Sequence, residues 1–173
     1  MRSPTERIAR DALFTGFSLM LAYLETLIPL PFFFAFPGVR LGLPNICVML
    51  VFFKIGKKDA FAVLILRIFL SVLLFSSPVT AIYSLAGGLC AYGTMAFLAN
   101  GEKKGVFSFY GISSACAASH ITGQIAVASA IYASPAFFTY LPGALLLSLL
   151  TGLLTGGVTS LLAKKISRFL KND

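Results

Sequence analysis

Apolar residues form six long runs along the chain, and short polar connections separate them. A helix that crosses a bilayer needs about 20 mostly apolar residues, so each run predicts one membrane span. The pattern therefore predicts an all-α integral membrane protein in which residues 1–173 form a single membrane domain. The six predicted spans cover residues 12–30, 43–56, 59–76, 78–99, 106–132 and 140–163.

The composition excludes an ordinary water-soluble domain. Hydrophobic residues make up 58% of the chain and charged residues only 12%, whereas soluble domains carry about 25% charged residues. The net charge of +8 would suit nucleic acid only if the basic residues formed a continuous face or stripe. Here they lie in short clusters between the apolar runs, so we expect the partner to be the lipid bilayer and no nucleic acid to bind.

The positions of the basic residues indicate the orientation in the membrane. Twelve of the fourteen Lys and Arg residues lie before span 1, between spans 2 and 3, between spans 4 and 5, or after span 6. Short loops that are rich in Lys and Arg stay on the cytoplasmic side. We therefore expect a multi-pass protein of the cell membrane with both termini in the cytoplasm.

The second span departs from this regular scheme. Pro44 suits the first turn of a helix, and the apolar stretch after it reaches only to about Phe53. Such a helix rises about 15 Å, which is half of the hydrocarbon thickness. We interpret residues 31–43 as a lid over a pocket, and the alternative is a tilted, kinked but continuous span. The aromatic residues that could cover a ligand there, or form an interfacial belt instead, are Phe32, Phe33, Phe34, Phe36, Tyr23 and Tyr140.

A few polar side chains lie inside or beside the predicted spans. A charge at the centre of a membrane helix costs about 2.5–3.5 kcal/mol on insertion scales, and such residues usually face an interior or a cavity. At a rise of about 1.5 Å per residue, these side chains occupy the middle and outer layers of the membrane. The candidate substrate-binding residues are Glu25, Arg40, Asn45, Arg67, His120 and Gln124.

Two interpretations of these residues remain open from the sequence. In the first, Arg67, Arg40 and the N-terminal amides near Asn45 receive an anionic or carbonyl-bearing ligand from the outer side. In the second, Glu25 and Arg67 form a buried pair that holds the bundle together, and a backbone carbonyl satisfies His120.

The residues needed for several kinds of chemistry are missing. The chain has no GxxxxGK[ST] loop for ATP, and three aspartates, Asp11, Asp59 and Asp173, cannot form an aspartate-rich Mg²⁺ site. One histidine and three cysteines without ligand spacing give no metal site or nucleophilic triad. We therefore expect no enzymatic activity, no cofactor and no bound metal.

Five segments resemble a bacterial family, the Gx transporter family, often labelled heptaprenyl diphosphate synthase component I. The resemblance spans about residues 12–162, and its most specific parts are the PGVRLGLPN and HITGQ elements. The sequence departs from the family pattern in two elements: Pro44 stands where Ala is more usual, and Ile121 and Thr122 follow His120 where Asn is common. The segments are PGVRLGLPNI (37–46), LRIFLSVLL (66–74), SLAGGL (84–89), SHITGQIAVA (119–128) and YLPGALLLSLLTGLLTGG (140–157).

This family is in turn similar to the S components of energy-coupling-factor transporters, which are six-helix membrane proteins that capture a vitamin-like substrate. The resemblance implies an S-component-like bundle with a separate transmembrane coupling protein and ATPase subunits as partners. It also makes the small residues Ala12 and Gly16 on the first helix candidate docking positions. A similar pair, Gly152 and Gly156, suits either internal helix packing or a second membrane subunit.

The resemblance implies a substrate-binding subunit of an uptake transporter in the bacterial cytoplasmic membrane. Its substrate would be a small vitamin-like molecule or one related to isoprenoids or quinones. One alternative is a noncatalytic accessory subunit of heptaprenyl diphosphate or menaquinone biosynthesis. Another is a membrane component of a redox assembly that uses flavin or quinone.

Overall fold

The computed structural model describes residues 4–27, 40–103 and 105–169, which form six α-helices and one short 3₁₀ helix. Each α-helix overlaps one predicted span, although the first begins at Pro4 and not at residue 12, so the all-helical architecture with six helices is confirmed for the described residues. The helices are α1 (Pro4–Thr26), α2 (Asn45–Lys54), α3 (Lys57–Leu74), α4 (Pro78–Lys103), α5 (Phe109–Ile131) and α6 (Leu141–Phe169), and the 3₁₀ helix (Pro135–Tyr140) precedes α6.

The second helix begins only after Pro44, as predicted. Residues 40–44 are not helical, and Gly42 has a φ of +88°, in the left-handed region that favours glycine. The ten residues of α2 give a rise of about 15 Å. The N-terminus of α2 lies inside the protein beside the buried Ser18 hydroxyl, which donates to the Pro44 carbonyl at 3.2 Å. The choice between a lid and a tilted, kinked span stays a prediction, because residues 31–39 lie outside the described residues.

The predicted lid, residues 31–43, falls mostly outside the described residues. Of this segment the structure describes 40–43, while Phe32, Phe33, Phe34 and Phe36 lie outside the described residues. Tyr23 and Tyr140 are described, and both are about half exposed. The Tyr23 ring packs edge-on against Phe75, with 5.5 Å between the ring centroids.

Helix α2 lies at the centre of the bundle, where it packs against α1, α3 and α6. Its apolar residues join those of α3, α4 and α5 in one core that includes Val51, Leu64, Met95 and Ile112. This packing places the N-terminal end of α2, which begins with the polar residue Asn45, between the middle of α3 and the middle of α5.

Small residues bring α5 and α6 close together. A Cβ atom built on Gly152 would lie 2.6 Å from the Ser114 Cα, and one on Gly156 would lie 2.9 Å from the Tyr110 Cα. Both glycines therefore serve internal helix packing, and the alternative that this pair contacts a second subunit is wrong.

Two stretches of the described chain, Pro78–Glu102 and Pro135–Lys165, are helical, long and apolar enough to cross a membrane. Helix α2 is apolar but too short to meet the same criterion. These two stretches are compatible with a membrane location, while the six-span topology and the cytoplasmic position of the termini remain predictions.

Candidate functional site

The structure brings the six candidate residues together around the N-terminus of α2. They come from four helices and the segment before one of them, so several parts of the bundle build the site. Glu25 lies at the end of α1, Arg40 in the segment before α2, Asn45 at the first position of α2, Arg67 in the middle of α3, and His120 and Gln124 on α5.

Asn45 connects α3 to α5. Its Oδ1 accepts a hydrogen bond from Arg67 Nη2 at 2.9 Å, and its Nδ2 lies 3.3 Å from His120 Nδ1. On the other side of the ring, His120 Nε2 lies 2.9 Å from Gln124 Nε2. That contact follows from the spacing of four residues, which places both side chains on one helix face. The four side chains form a continuous polar chain from α3 to α5.

Arg40 ties the segment before α2 to three other parts of the bundle. Its backbone N–H donates to Gln124 Oε1 at 3.1 Å, and its Nη2 donates to Ser76 Oγ at 3.0 Å. The guanidinium carbon lies 5.9 Å from the centroid of the Phe75 ring. Partial burial lowers the pKa of Arg40, and the negative charge of Glu25 opposes this shift.

Glu25 contacts the backbone before α2. Its Oε1 accepts a hydrogen bond from the Gly42 N–H at 2.6 Å, and the residue is only 2% exposed. The charges of Arg40 and Arg67 are close enough to interact with this carboxylate. Among the described residues there is nevertheless no salt bridge between Glu25 and Arg67. The expectation of a direct buried ion pair is therefore wrong, because Arg67 turns to Asn45 and Glu25 turns to a backbone amide.

His120 is held by two side-chain amides and by a hydrogen bond to the Gly87 backbone, so the expected backbone partner is confirmed and the amides of Asn45 and Gln124 are added to it. Arg67 only donates, so Asn45 turns its oxygen to Arg67 and its NH₂ group to the ring. The Arg40 N–H likewise holds the Gln124 oxygen, which leaves the Gln124 NH₂ facing the ring. A neutral imidazole has one acceptor nitrogen and one N–H. One of the two contacts therefore places two donors opposite each other.

Among the six candidate residues, two further buried polar atoms have no hydrogen-bond partner among the described residues. They are Arg67 Nε, which is a donor, and Glu25 Oε2, which is an acceptor. Two guanidinium groups share the site with one carboxylate, so the charge of Glu25, Arg40 and Arg67 together is positive. Unpaired buried polar groups cost about 1–3 kcal/mol each, so the arrangement favours a group that supplies acceptor oxygens.

A small cavity touches this network at Gly42 and Asn45. Its volume is about 20 Å³, and its lining continues to Met49, Met95 and Ser113. That is room for about one water molecule. A larger ligand would therefore bind at this point only if the residues around Gly42 and Asn45 moved apart.

Three neighbours of the site were not predicted from the sequence. Phe75 and Ser76 hold Arg40, although the sequence showed Ser76 only as part of a short connection. Gly87 on α4 lies against His120, and a Cβ atom built there would be 2.8 Å from its Nδ1 and Cε1. The signal for Gly87 was the SLAGGL segment, because a ring can approach a backbone closely only where the side chain is absent.

The predicted docking positions lie away from this site, on α1. Ala12 and Gly16 are both exposed, and a Cβ atom built on Gly16 would meet nothing within 4 Å. This open environment differs from that of Gly152 and Gly156, which the neighbouring helix covers.

The fold and site define an all-helical protein with a polar, donor-rich centre. The family model for heptaprenyl diphosphate synthase component I matches residues 14–162, a range that contains all six candidate residues. The chain therefore belongs to the heptaprenyl diphosphate synthase component I family, in agreement with the resemblance found in the sequence. Comparisons with curated proteins and with solved structures found no match.

Proposed function

We propose that the chain is a substrate-binding membrane subunit, similar to an S component, of an uptake transporter. It captures a small molecule from the outer side, and separate partner subunits supply the energy. The observation that carries the proposal is the donor-rich polar network around Asn45, buried within a chain whose surface is largely apolar. The chain itself is proposed to have no catalytic activity.

The distribution of polar and apolar side chains supports a membrane location. Large apolar residues point outward, with Phe97 83% exposed and Leu154 71% exposed, while Arg67 and Gln124 are buried. In water this arrangement would expose an extensive apolar surface, which soluble monomers avoid. In a bilayer the apolar surface meets lipid, and the costly polar groups are kept inside. The basic clusters then favour a cytoplasmic position for both termini.

The polar network supports a substrate with acceptor oxygens. Arg67 Nε is an unpaired donor, and the two amides around His120 provide one donor more than the ring can accept. A carboxylate, phosphate or carbonyl oxygen would pair with these groups. Within the proposed class of vitamin-like or isoprenoid- and quinone-related molecules, the site therefore favours those with an anionic or carbonyl group.

The partner subunits are proposed to be a transmembrane coupling protein and its ATPases. The open face of α1 at Ala12 and Gly16 supports this, since small residues let a second helix approach closely. The resemblance to S components assigns coupling to this helix.

The family name favours a second candidate function, which is a noncatalytic membrane subunit of heptaprenyl diphosphate or menaquinone biosynthesis. A direct assay separates the two. An accessory subunit raises the yield or product length when it is added to a catalytic prenyl synthase subunit, whereas a carrier changes neither. A flavin- or quinone-dependent redox assembly is a third candidate, and it predicts that such a cofactor co-purifies.

Thermal unfolding of the purified chain tests the binding proposal. The panel of probes consists of carboxylate-bearing vitamins and naphthoquinone derivatives. We expect at least one probe to raise the Tm of the wild type, and the folded variants Arg67→Ala and His120→Ala to lose this response. Lys165→Ala, which removes an exposed charge on α6, serves as the control. We expect this variant to keep the ligand-induced rise in Tm. An unchanged response in both site variants contradicts the proposal.

A further inference from the structure

A second charged site lies at the opposite end of α1, in a groove between α1 and the connection from α2 to α3. The groove has a volume of about 410 Å³. We call it the basic groove, and its lining residues are Arg7, Arg10, Ile55, Gly56, Lys57, Lys58 and Asp59. None of these belongs to the polar network around Asn45.

One carboxylate organises the arginines of the basic groove. Asp59 Oδ1 accepts from Arg7 at 2.6 Å, and Asp59 Oδ2 lies 3.6 Å from Arg10 Nη2. Arg10 also contacts the neighbouring Asp11 at 3.1 Å. Four basic side chains line the groove against Asp59 alone, and positive charge remains in excess even when Asp11 is counted.

The two lysines of the groove stand at the start of α3. Helix α3 has no side-chain cap, so the N–H groups of its first turn have no partner within the helix. The helix dipole also favours negative charge at this end. Lys57 Nζ lies 5.6 Å from the centroid of the Phe52 ring, and Lys58 makes no salt bridge to any described residue. Asp59 is the acidic residue of this first turn, and beside it the groove holds two lysines that make no salt bridge to a described residue.

Large apolar side chains follow the basic ones on both helices. Leu13 lies three residues after Arg10 and Phe61 three residues after Lys58, and both are exposed. A spacing of three residues keeps them on the same helix face as the basic residues. The surface thus changes from positive to apolar within one helical turn, as an amphiphilic ligand requires.

We propose that the basic groove binds the phosphate headgroup of an anionic lipid, whose acyl chain lies along Leu13 and Phe61. The groove stands where the predicted spans 1 and 3 begin, which is the headgroup level of the proposed cytoplasmic face. The location rests on the proposed membrane topology, whereas the binding itself is independent of the substrate site.

Titration of the full-length protein in neutral detergent tests this, with native mass spectrometry counting the bound lipids. The probes are dioleoyl phosphatidylglycerol, dioleoyl phosphatidylcholine and inorganic phosphate. We expect saturable binding of phosphatidylglycerol in preference to phosphatidylcholine. The double variant Lys57→Gln/Lys58→Gln should weaken this binding about thirtyfold, since each of the two lysines near a lipid headgroup contributes about 1 kcal/mol and about 1.4 kcal/mol is a factor of ten in affinity.

The matched control is Lys164→Gln/Lys165→Gln, which removes the same charge from the exposed end of α6. Its affinity for phosphatidylglycerol should change by less than about twofold. Lys58→Gln alone keeps the Lys57–Phe52 contact and gives a second variant if the double variant is unstable. Equal weakening in the two double variants overturns the proposal, and binding of inorganic phosphate as tightly as the lipid overturns the assignment to a lipid. Arg67→Ala should retain lipid binding, which separates this test from that of the substrate site.

Discussion

Gln124 lies one helical turn beyond His120, and its amide nitrogen is 2.9 Å from His120 Nε2. The Gln124 oxygen accepts from the backbone of Arg40, so the amide cannot rotate to offer that oxygen to the ring without losing the other bond. This fixed NH₂ group and that of Asn45 both face the ring, which gives the site one donor more than the ring can accept.

Gln124→Glu replaces one of the two donors that face the His120 ring with an acceptor. We expect the carboxylate to accept from both His120 and the Arg40 N–H, and the Tm of the unliganded protein to rise, by an amount equivalent to about 1 kcal/mol. The added negative charge should at the same time abolish binding of an anionic ligand. Gln124→Leu removes both polar groups and is the comparison. A Tm of Gln124→Glu below that of Gln124→Leu would show that the donor excess does not exist.

The bond between Arg67 and Asn45 predicts strong coupling between these residues. A double-mutant cycle with Arg67→Met and Asn45→Ala should give a coupling energy of about 1.5–3 kcal/mol, typical of a hydrogen bond to a charged group. Denaturant unfolding in micelles measures it. If the losses in free energy of unfolding of the two single variants add up to that of the double variant within about 0.5 kcal/mol, the two side chains do not interact.

The close approach of Gly87 to His120 predicts that this position tolerates no side chain. Gly87→Ala should destabilise the protein by about 1–3 kcal/mol, because the added methyl group would lie 2.8 Å from the ring. Gly93→Ala lies on the same helix, where an added Cβ meets nothing within 4 Å, and should leave the Tm unchanged or slightly higher. Similar losses of stability in Gly87→Ala and Gly93→Ala would indicate a general effect of substitutions in α4 and would contradict the close contact between Gly87 and His120.

The exposed small residues of α1 predict a docking surface. Ala12→Leu together with Gly16→Leu should abolish co-purification of the coupling protein and ATPases while leaving the chain folded. Gly143→Leu introduces the same side chain at another open position, on α6, and should retain the partners. Persistence of the complex in the double variant would exclude α1 as the docking helix.

The sequence predicted the helices closely, because apolar run length and helix-breaking residues determine them locally. The third span was predicted at 59–76 and the helix is Lys57–Leu74, while Pro44 correctly marked the start of α2. The heights of Arg67 and His120 also followed from the rise per residue, which is why the layer of polar residues was found.

The contacts within that layer were not predictable, since they depend on how each helix is rotated about its axis. The sequence suggested that Glu25 and Arg67 are partners. In the structure Glu25 accepts a hydrogen bond from the Gly42 amide, and Arg67 donates one to Asn45. The spacing of small residues was equally ambiguous. The same spacing packs against a neighbouring helix at Gly152, whereas a Cβ atom built on Gly16 meets nothing within 4 Å. Only the packed bundle distinguishes these environments.

The most direct test of the central claim is native mass spectrometry of the protein released from its own membranes in mild detergent. Our account predicts that the wild type and Lys165→Ala retain a small molecule with an anionic or carbonyl group, and that folded Arg67→Ala has lost it. Retention of the same molecule by Arg67→Ala, or its absence from the wild type, would contradict the account.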